Sequence, residues 1–525
     1  MSSCLGQPFE QALDGENNSI QFDVAYPVSG SPARAVDEIR QIHGQDIYLL
    51  PMSGTSCGGG IFQTTSHPPG TVIGLRFDPP ANPRVSLSAT RELADLELDE
   101  IAIDTQSQQV AAGAAVTLGQ LNQALMQLLG HSFKVPGADL TSYLYAAVGA
   151  TFMTGGMGPQ RRYFSDSVVE ASIFDGAATR SVHGEALRGH AGNYGWSGIV
   201  TAVRCSYYRF PDNEVAFALP VSNHPEDIAR LLAQLSPYCY LELDLDGARS
   251  AANRQDLILG LEHVSTRSMR PLLRAAGQNP MAARARDLQQ KCEAANADGL
   301  IFVNGFSQRS IDDLLIGMAD DQLADEFTIA GIALEHAEVF SNPEEMRALR
   351  EAIPYEARMQ TSTGRLVYKN HSDANIRIDT DKVAASVRQL WQINRDYVAA
   401  VEEYFDTHSK IVGEILIYGH LNPYGVDPHN RVTMSSDDES AFGSAREFLI
   451  EQRAGYYRAL NSLCLAGNAI FIGGEKTADS ELAIFSALGG AQNSPPGLFR
   501  RFQRQRATIA AAAPIFNWRA PDPYR

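Results

Sequence analysis

The hydrophobic pattern of the first 210 residues alternates between short apolar strands and amphipathic helices. Apolar residues at helical spacing predict helices over 31–43 and 117–130, the second with Thr117 as its N-cap and Gly130 at its end. Short apolar runs predict a strand in 46–60 that leads into a glycine loop, two strands within 100–116, a hairpin over 167–182 and a strand over 199–210.

Beyond Pro211 the pattern changes. Residues 223–300 are rich in Ala, Leu, Arg and Glu, and HPEDIARLLAQL within them has helical spacing. Further on, the pattern predicts an extended segment over 366–379, a helix over 381–410, a strand over 411–422 and a basic helix, LFRRFQRQRATIAAAA, near the end. Helices and strands with few glycines between them predict an α+β domain.

Composition limits the class of protein. At 525 residues the chain is long enough for two or more domains, and its 44% hydrophobic and 20% charged residues are typical of globular proteins. A formal net charge of −18 argues against a nucleic-acid partner. The six cysteines form no Cys-x-x-Cys pair, and the sequence shows neither a signal-peptide pattern nor a membrane-spanning run. We therefore expect a cytoplasmic protein.

Three glycine-rich stretches stand out at 54–60, 149–158 and 192–198. Each one alone is typical of a turn. The chain has no G-x-G-x-x-G between a strand and a helix and no phosphate-binding P-loop motif. Three such stretches among the strands of one predicted domain indicate that backbone N–H groups approach a large ligand closely.

These stretches resemble the flavin-binding domain of the vanillyl-alcohol oxidase and p-cresol methylhydroxylase (PCMH) superfamily of FAD-linked oxidases. PMSGTSCGGG is similar to the family's pyrophosphate loop, and VAAGAAVTLGQLNQAL to its strand–helix unit. The run from VPGADLT to SIFDG resembles the stretch that lines the flavin, and GNYGWSGIVTAVRCSYYRFP the closing segment. The resemblance implies an α+β protein, in which a PCMH-type FAD-binding domain of two α/β subdomains carries a cap domain built on an antiparallel sheet.

The resemblance also implies domain bounds and flavin-binding residues. The expected parts are an FAD-binding domain at 1–212, a substrate-binding cap at 213–440 and a C-terminal segment at 441–525 that packs back on the FAD domain. The residues expected to hold FAD are Ser53, Gly54, Thr55, Ser56, Cys57, Gly58, Gly149, Thr154, Gly155, Gly158, Arg161, Ile199, Val200 and Thr201. Arg162 is a further candidate, and a solvated charged turn is the alternative for both arginines.

Covalent attachment of the flavin is not expected. Members of the family with covalent FAD usually carry a histidine in the pyrophosphate loop, and residues 54–58 contain none. Cys57 could form a thioether, although a buried structural cysteine is the commoner outcome. The sequence therefore predicts non-covalent FAD.

The second half resembles the D-2-hydroxy-acid dehydrogenase branch of the same superfamily. LREAIP is similar to the segment whose arginine binds a substrate carboxylate, which implies this role for Arg350. An exposed helix arginine in a salt bridge is the alternative. VYKNHSDANI is similar to the strand that bears a substrate-side lysine, here Lys369.

Two further segments resemble the branch's metal-binding motifs. YGHLNPYGVDPHNRVT supplies His420 and His429, and IGGEKTADSE supplies Glu475, which together imply a divalent-metal site. Structural histidines and a surface glutamate are the alternative. The histidines are more widely spaced than in the branch, and Lys476 stands where the branch has its presumed catalytic histidine. The candidate catalytic bases are therefore His420, His429 and Lys476.

The leading hypothesis is an FAD-dependent oxidoreductase that oxidises a small hydroxylated substrate by hydride transfer to flavin, and the resemblance implies a 2-hydroxy acid. An oxidase of phenolic or other alcohols is a second hypothesis, and a catalytically degenerate flavoprotein scaffold is a third. The electron acceptor is left open between oxygen, a quinone and a protein, and a homodimer is one of the possible assemblies.

Overall fold

The computed structural model describes most of the chain. The described residues are 3–12, 20–53, 68–88, 91–130, 132–138, 144–156, 158, 163–235, 238–239, 256–310, 313, 328–329, 332–333, 336–373, 375–377, 383–422, 425–465, 470–473, 478–522 and 524.

The N-terminal half contains two larger sheets, a two-stranded sheet of Phe133–Lys134 and Tyr208–Arg209, and four described helices. Its strands are β1 (Val24–Pro27), β2 (Ile47–Met52), β3 (Thr71–Arg76), β4 (Arg84–Leu87), β5 (Glu100–Asp104), β6 (Gln109–Gly113), β7 (Phe133–Lys134), β8 (Val168–Phe174), β9 (Thr179–Val182), β10 (Ile199–Ser206) and β11 (Tyr208–Arg209). Its helices are α1 (Pro32–His43), α2 (Leu118–Leu129), α3 (Val148–Thr154) and α4 (Gly184–His190).

The first sheet is parallel and small, with the order β1-β3-β2. Helix α1 begins at Pro32, which suits the first turn because the missing N–H has no intrahelical partner there. Its residues Ala35, Val36 and Ile39 recur at helical spacing and are buried. Parallel strands end together, so Ser53, which follows β2, lies at the carboxyl edge of this sheet.

The second sheet has the order β4-β5-β6-β10-β8-β9, and most of its pairings are antiparallel. A capping box starts α2: Thr117 Oγ1 accepts from the Gln120 amide at 3.1 Å, and Gln120 Oε1 accepts from the Thr117 amide at 3.0 Å. The predicted helix, its N-cap and its end at Gly130 are therefore confirmed. The predicted hairpin is also confirmed, since β8 pairs with β9 across the turn at Asp175 and Gly176.

The second half is built around a nine-stranded antiparallel sheet. Its strands are β12 (Asn213–Val221), β13 (Asp256–Ser265), β14 (Gly299–Ser307), β17 (Glu338–Val339), β18 (Leu366–Asp373), β19 (Asn375–Arg377), β20 (Val412–Asn422), β21 (Gly425–Ser436) and β22 (Ile470–Gly473). A separate pair is formed by β15 (Thr328–Ile329) and β16 (Ile332–Ala333). The described helices that follow α4 are α5 (Pro225–Leu235), α6 (Arg270–Arg274), α7 (Met281–Ala294), α8 (Pro343–Thr361), α9 (Val383–Thr407), α10 (Glu439–Leu465), α11 (Ala478–Ala487), α12 (Pro496–Ala510) and α13 (Pro514–Asn517).

Helices pack against both faces of this sheet. On one face, Phe217, Leu261 and Val432 pack in one core with residues of α5, α9 and α10. On the other face, Ala218 and Phe302 pack against α6, α7 and α8. Helix α8 also packs against β20 and β21, and polar side chains occupy the same face of these two strands.

The end of the chain returns to the N-terminal half. Helix α12 packs against α4, and α13 packs against β2. Phe516 is buried in the core of the N-terminal half and meets Phe174 edge-on, with 6.4 Å between ring centroids. The division into 1–212, 213–440 and 441–525 remains a prediction. Among the described residues, no helix is long and apolar enough to cross a membrane.

Candidate active site

A cluster of buried ionisable side chains lies on the face of the nine-stranded sheet that packs against α6 to α8. The sheet register pairs Glu262 with His420 and His420 with Asp427 across neighbouring strands. Directly paired residues share a face, and His429 follows Asp427 by two residues, so it lies on this face as well. We call Glu262, His420, Asp427 and His429 the acid–histidine cluster.

The two histidines and Asp427 are in mutual contact. His429 Nε2 lies 3.4 Å from His420 Nδ1 and 3.6 Å from Asp427 Oδ2. One potential ligand atom from each of the three residues lies within 4.8 Å of the others, and all three side chains are buried. Two imidazole nitrogens and a carboxylate oxygen so arranged can share a proton or bind one divalent cation.

Sequence reasoning identified His420 and His429 but missed Asp427. The wide spacing between the histidines arises because they sit on the two strands of one hairpin, β20–β21. Strand alternation was the available signal for Asp427, which stands two residues before His429. Glu475 and Lys476, the other predicted ligand and base, lie outside the described residues.

Arg350 reaches the cluster from α8. Its guanidinium forms an ion pair with Glu262, and both side chains are almost fully buried. A substrate carboxylate at this position would therefore share the guanidinium with Glu262. The exposed-helix alternative for Arg350 is wrong, because only 4% of the residue is exposed.

Two cations extend the polar face beyond His429. Arg431 follows His429 by two residues on β21, and Lys369 pairs with Thr433 of the same strand, so alternation puts both on this face. Arg431 is buried and Lys369 is half-buried. Lys369 was predicted, whereas Arg431 was missed although it continues the alternation from His429.

The predicted flavin-binding residues of the N-terminal half lie at strand and helix ends. Ser53 follows β2, and its Oγ is buried with no hydrogen-bond partner among the described residues. Ile199, Val200 and Thr201 begin β10 and are buried, with Thr201 Oγ1 donating to the Ser172 carbonyl at 3.2 Å. The predicted residues Gly54, Thr55, Ser56, Cys57, Gly58, Arg161 and Arg162 lie outside the part of the chain that the structure describes.

The remaining predicted glycines surround α3. A β-carbon at Gly149 would lie 2.6 Å from Ala114 Cβ, so α3 could not pack there with a larger residue. Gly155 ends α3 with φ +68°, and a β-carbon there would lie 3.5 Å from the Cα of Gly192, which also has φ +68°. Thr154 is half-buried as the last residue of α3, and Gly158 is buried.

The basic helix α12 contributes a buried arginine beside these glycines. Arg501 Nη1 donates to the Tyr163 hydroxyl at 3.1 Å, and its Nη2 lies 3.4 Å from Glu481 Oε1. The Tyr524 hydroxyl donates to Glu481 Oε2 at 2.5 Å. Burial by itself disfavours the charged form of Arg501, but Glu481 and the nearby tyrosines hold its pKa above the usual arginine value. Arg501 therefore remains a cation next to Gly155 and Gly192.

Comparison with known proteins identifies similar proteins by structure alone. No protein-family model and no curated protein sequence matches the chain. A structure of alkyldihydroxyacetonephosphate synthase is similar with a TM-score of 0.56 and 13% identity, over 84% of this chain and 72% of that one. A structure of 6-hydroxy-D-nicotine oxidase from Arthrobacter nicotinovorans is similar with a TM-score of 0.50 and 14% identity, over 97% of this chain and 93% of that one.

Proposed function

We propose, for a chain whose fold is that of the PCMH-type FAD-binding oxidases, that it binds FAD non-covalently and oxidises a small hydroxylated substrate. The observation that carries this proposal is the buried contact of His420, Asp427 and His429 on one face of the nine-stranded sheet. Such a set can accept a proton from a substrate hydroxyl, as an alcohol oxidation requires.

The residues of the N-terminal half fit FAD. The hydroxyl of Ser53 and the indole N–H of Trp196 are buried polar groups with no hydrogen-bond partner among the described residues. Ser53 immediately precedes the glycine-rich stretch at 54–60, and Trp196 lies within the one at 192–198. A ligand with phosphates and a polar ring system would satisfy them. Ser53, Gly155 and Gly158, with the residues at 54–58, would hold the cofactor, which supplies a hydride acceptor when bound.

The chain's own residues would orient and deprotonate the substrate. His420 or His429 takes the hydroxyl proton on an imidazole nitrogen, and Asp427 stabilises the imidazolium that results. Lys369 and Arg431 provide positive charge that can bind a substrate carboxylate. Arg350 can donate further hydrogen bonds to it through the N–H groups that do not bind Glu262. This chemistry suits a 2-hydroxy acid.

A divalent metal is an alternative role for the same histidines. His420, Asp427 and His429 supply two nitrogens and one oxygen, with Glu475 as a further candidate ligand. A metal there would polarise the substrate hydroxyl and lower its pKa. Metal analysis of the purified protein, compared with a His420→Asn variant, separates the two roles, because a bound metal should fall with the variant.

The first test is the visible absorption spectrum of the purified protein before and after acid precipitation. We expect a flavin spectrum that moves into the supernatant. Colour that stays in the pellet would contradict non-covalent binding, and a colourless protein that FAD cannot reconstitute would contradict the flavoenzyme.

The second test is anaerobic reduction of the flavin by a panel of D-2-hydroxy acids and phenolic alcohols. We expect a 2-hydroxy acid to bleach the flavin and the His420→Asn variant to slow this by roughly a hundredfold or more, as for loss of a general base. The exposed His408→Asn is the matched control and should react like the unmodified protein. Flavin reduction by phenolic alcohols alone would favour an oxidase of phenolic or other alcohols. No flavin reduction by any substrate would favour the catalytically degenerate scaffold.

A further inference from the structure

The segment after α13 is held firmly against β2. Trp518 Nε1 donates to the Leu49 carbonyl at 3.3 Å, and its ring meets Tyr48 edge-on with 6.0 Å between centroids. The Trp518 side chain is buried in a small core with Leu50 and Met52 of the same strand. The position of the next residue, Arg519, is therefore set by β2.

Arg519 and the end of β2 both lie next to the loop at 192–198. A β-carbon at Gly195 would lie 3.3 Å from Pro51 Cγ and 3.9 Å from Arg519 Nη2. Gly195 has φ +75°, which an L-residue with a side chain rarely adopts. The guanidinium thus sits beside the glycine-rich stretch at 192–198 and close to Pro51 of β2, and only 4% of Arg519 is exposed.

This place has the features of an anion site. The carboxyl ends of β1, β3 and β2 meet at one edge, and Ser53 extends from β2 with a buried hydroxyl that has no hydrogen-bond partner among the described residues. Burial lowers the pKa of Arg519 to about 9, so a nearby anion would favour its charged form.

We propose that Arg519 binds the diphosphate of FAD together with Ser53. This rests on the proposed function, which supplies FAD as the ligand, and extends it to a residue far from the glycine-rich stretches in sequence. A planar guanidinium forms paired hydrogen bonds to phosphate oxygens. Here the guanidinium would come from Arg519, in the segment that follows α13. The C-terminal segment would then hold the cofactor directly, besides packing on the N-terminal half.

The test uses three ligands and three variants of the full-length protein freed of bound flavin. FAD and ADP carry the diphosphate, whereas riboflavin carries the flavin ring without phosphate. We expect Arg519→Gln to weaken FAD and ADP by roughly ten- to a hundredfold, as for a lost hydrogen bond to a charged group, and to leave riboflavin unchanged. Arg519→Lys should bind FAD and ADP with intermediate affinity. The exposed Arg506→Gln is the matched control and should bind all three ligands normally.

Other outcomes overturn the inference in distinguishable ways. Unchanged affinity of Arg519→Gln for FAD and ADP would remove Arg519 from the site. An equal loss for all three ligands would mean a structural role only. If Arg519→Gln does not fold, the test uses the ratio of ADP affinity to riboflavin affinity in Arg519→Lys. A ratio equal to that of the unmodified protein overturns the proposal. Failure of the unmodified protein to bind FAD would instead overturn the proposed function itself.

Discussion

At the scale of single residues, burial changes the chemistry of several titratable groups. His190 sits at the end of α4, and its Nδ1 lies 2.7 Å from the Ser197 hydroxyl. Burial lowers the pKa of His190 to about 4 and that of His263, in the core of the second half, to about 3. Both imidazoles are therefore neutral in the folded protein at pH values where an unfolded chain would protonate them.

This neutrality makes folding stability depend on pH. In the unfolded state His190 binds a proton as the pH falls below its ordinary pKa of about 6.5. In the folded state it stays neutral until about pH 4. The free energy of unfolding therefore falls as the pH falls from about 6.5 to about 4. We expect the unmodified protein to lose about 2 kcal/mol more than His190→Gln between pH 7 and pH 5. Urea unfolding of both proteins at both pH values measures this difference. Equal losses would contradict the buried neutral imidazole.

The ion pair between Arg350 and Glu262 gives a second residue-scale prediction. Removing one partner leaves a buried charge uncompensated, so Arg350→Met should lower the free energy of unfolding by about 3–5 kcal/mol. Replacing both by methionine should cost less than Arg350→Met alone. The exposed pair Arg365–Glu439 is the control, and Arg365→Met should cost about 1 kcal/mol or less. A double variant as unstable as the sum of the single ones would contradict the coupling.

At the scale of elements, the helices with clear apolar spacing were predictable. The structure confirms α1, α2, α5, α9 and α12 where the sequence predicts helices. No element was assigned to the segments that form β13 and β14. Every residue of β14 is buried, so the strand lacks the alternation that identifies a half-buried strand.

The capping box of α2 gives the prediction at this scale. Thr117→Ala should lower the free energy of unfolding by about 1 kcal/mol, because the Gln120 amide loses its acceptor. Thr117→Ser keeps the acceptor oxygen and should cost clearly less. Denaturant unfolding of the three proteins checks this order. Equal effects of the two substitutions would show that the methyl group, and not the cap, matters.

At the scale of the whole molecule, the C-terminal segment joins distant parts of the chain. Phe516 packs in the core of the N-terminal half, and Arg501 contacts Tyr163 from α12. These contacts connect residues more than 300 positions apart in sequence. The stability of the N-terminal half therefore depends on residues that follow the whole nine-stranded sheet.

Truncation of Phe516 should expose this dependence. Phe516→Ala leaves a cavity next to Phe174 and should lower the free energy of unfolding by about 3–5 kcal/mol. Leu144→Ala removes an exposed apolar side chain and is the control, with little expected effect. Hydrogen exchange of the β8 amides reports the same change locally. Unaltered protection of β8 in Phe516→Ala would contradict a shared core.

Sequence by itself determined the fold class and the five helices with clear apolar spacing, and it named His420, His429, Arg350 and Lys369 as candidates. Glycine clusters and apolar spacing are local patterns. A single segment such as GTSCGGG or the α2 capping box can therefore be interpreted without knowing which distant residues it contacts. The tertiary structure decided which charges meet: Asp427 with the two histidines, Glu262 with Arg350, and Arg519 with the end of β2. These contacts depend on strand register and on the return of the C-terminal segment, which are set by packing between residues far apart in sequence.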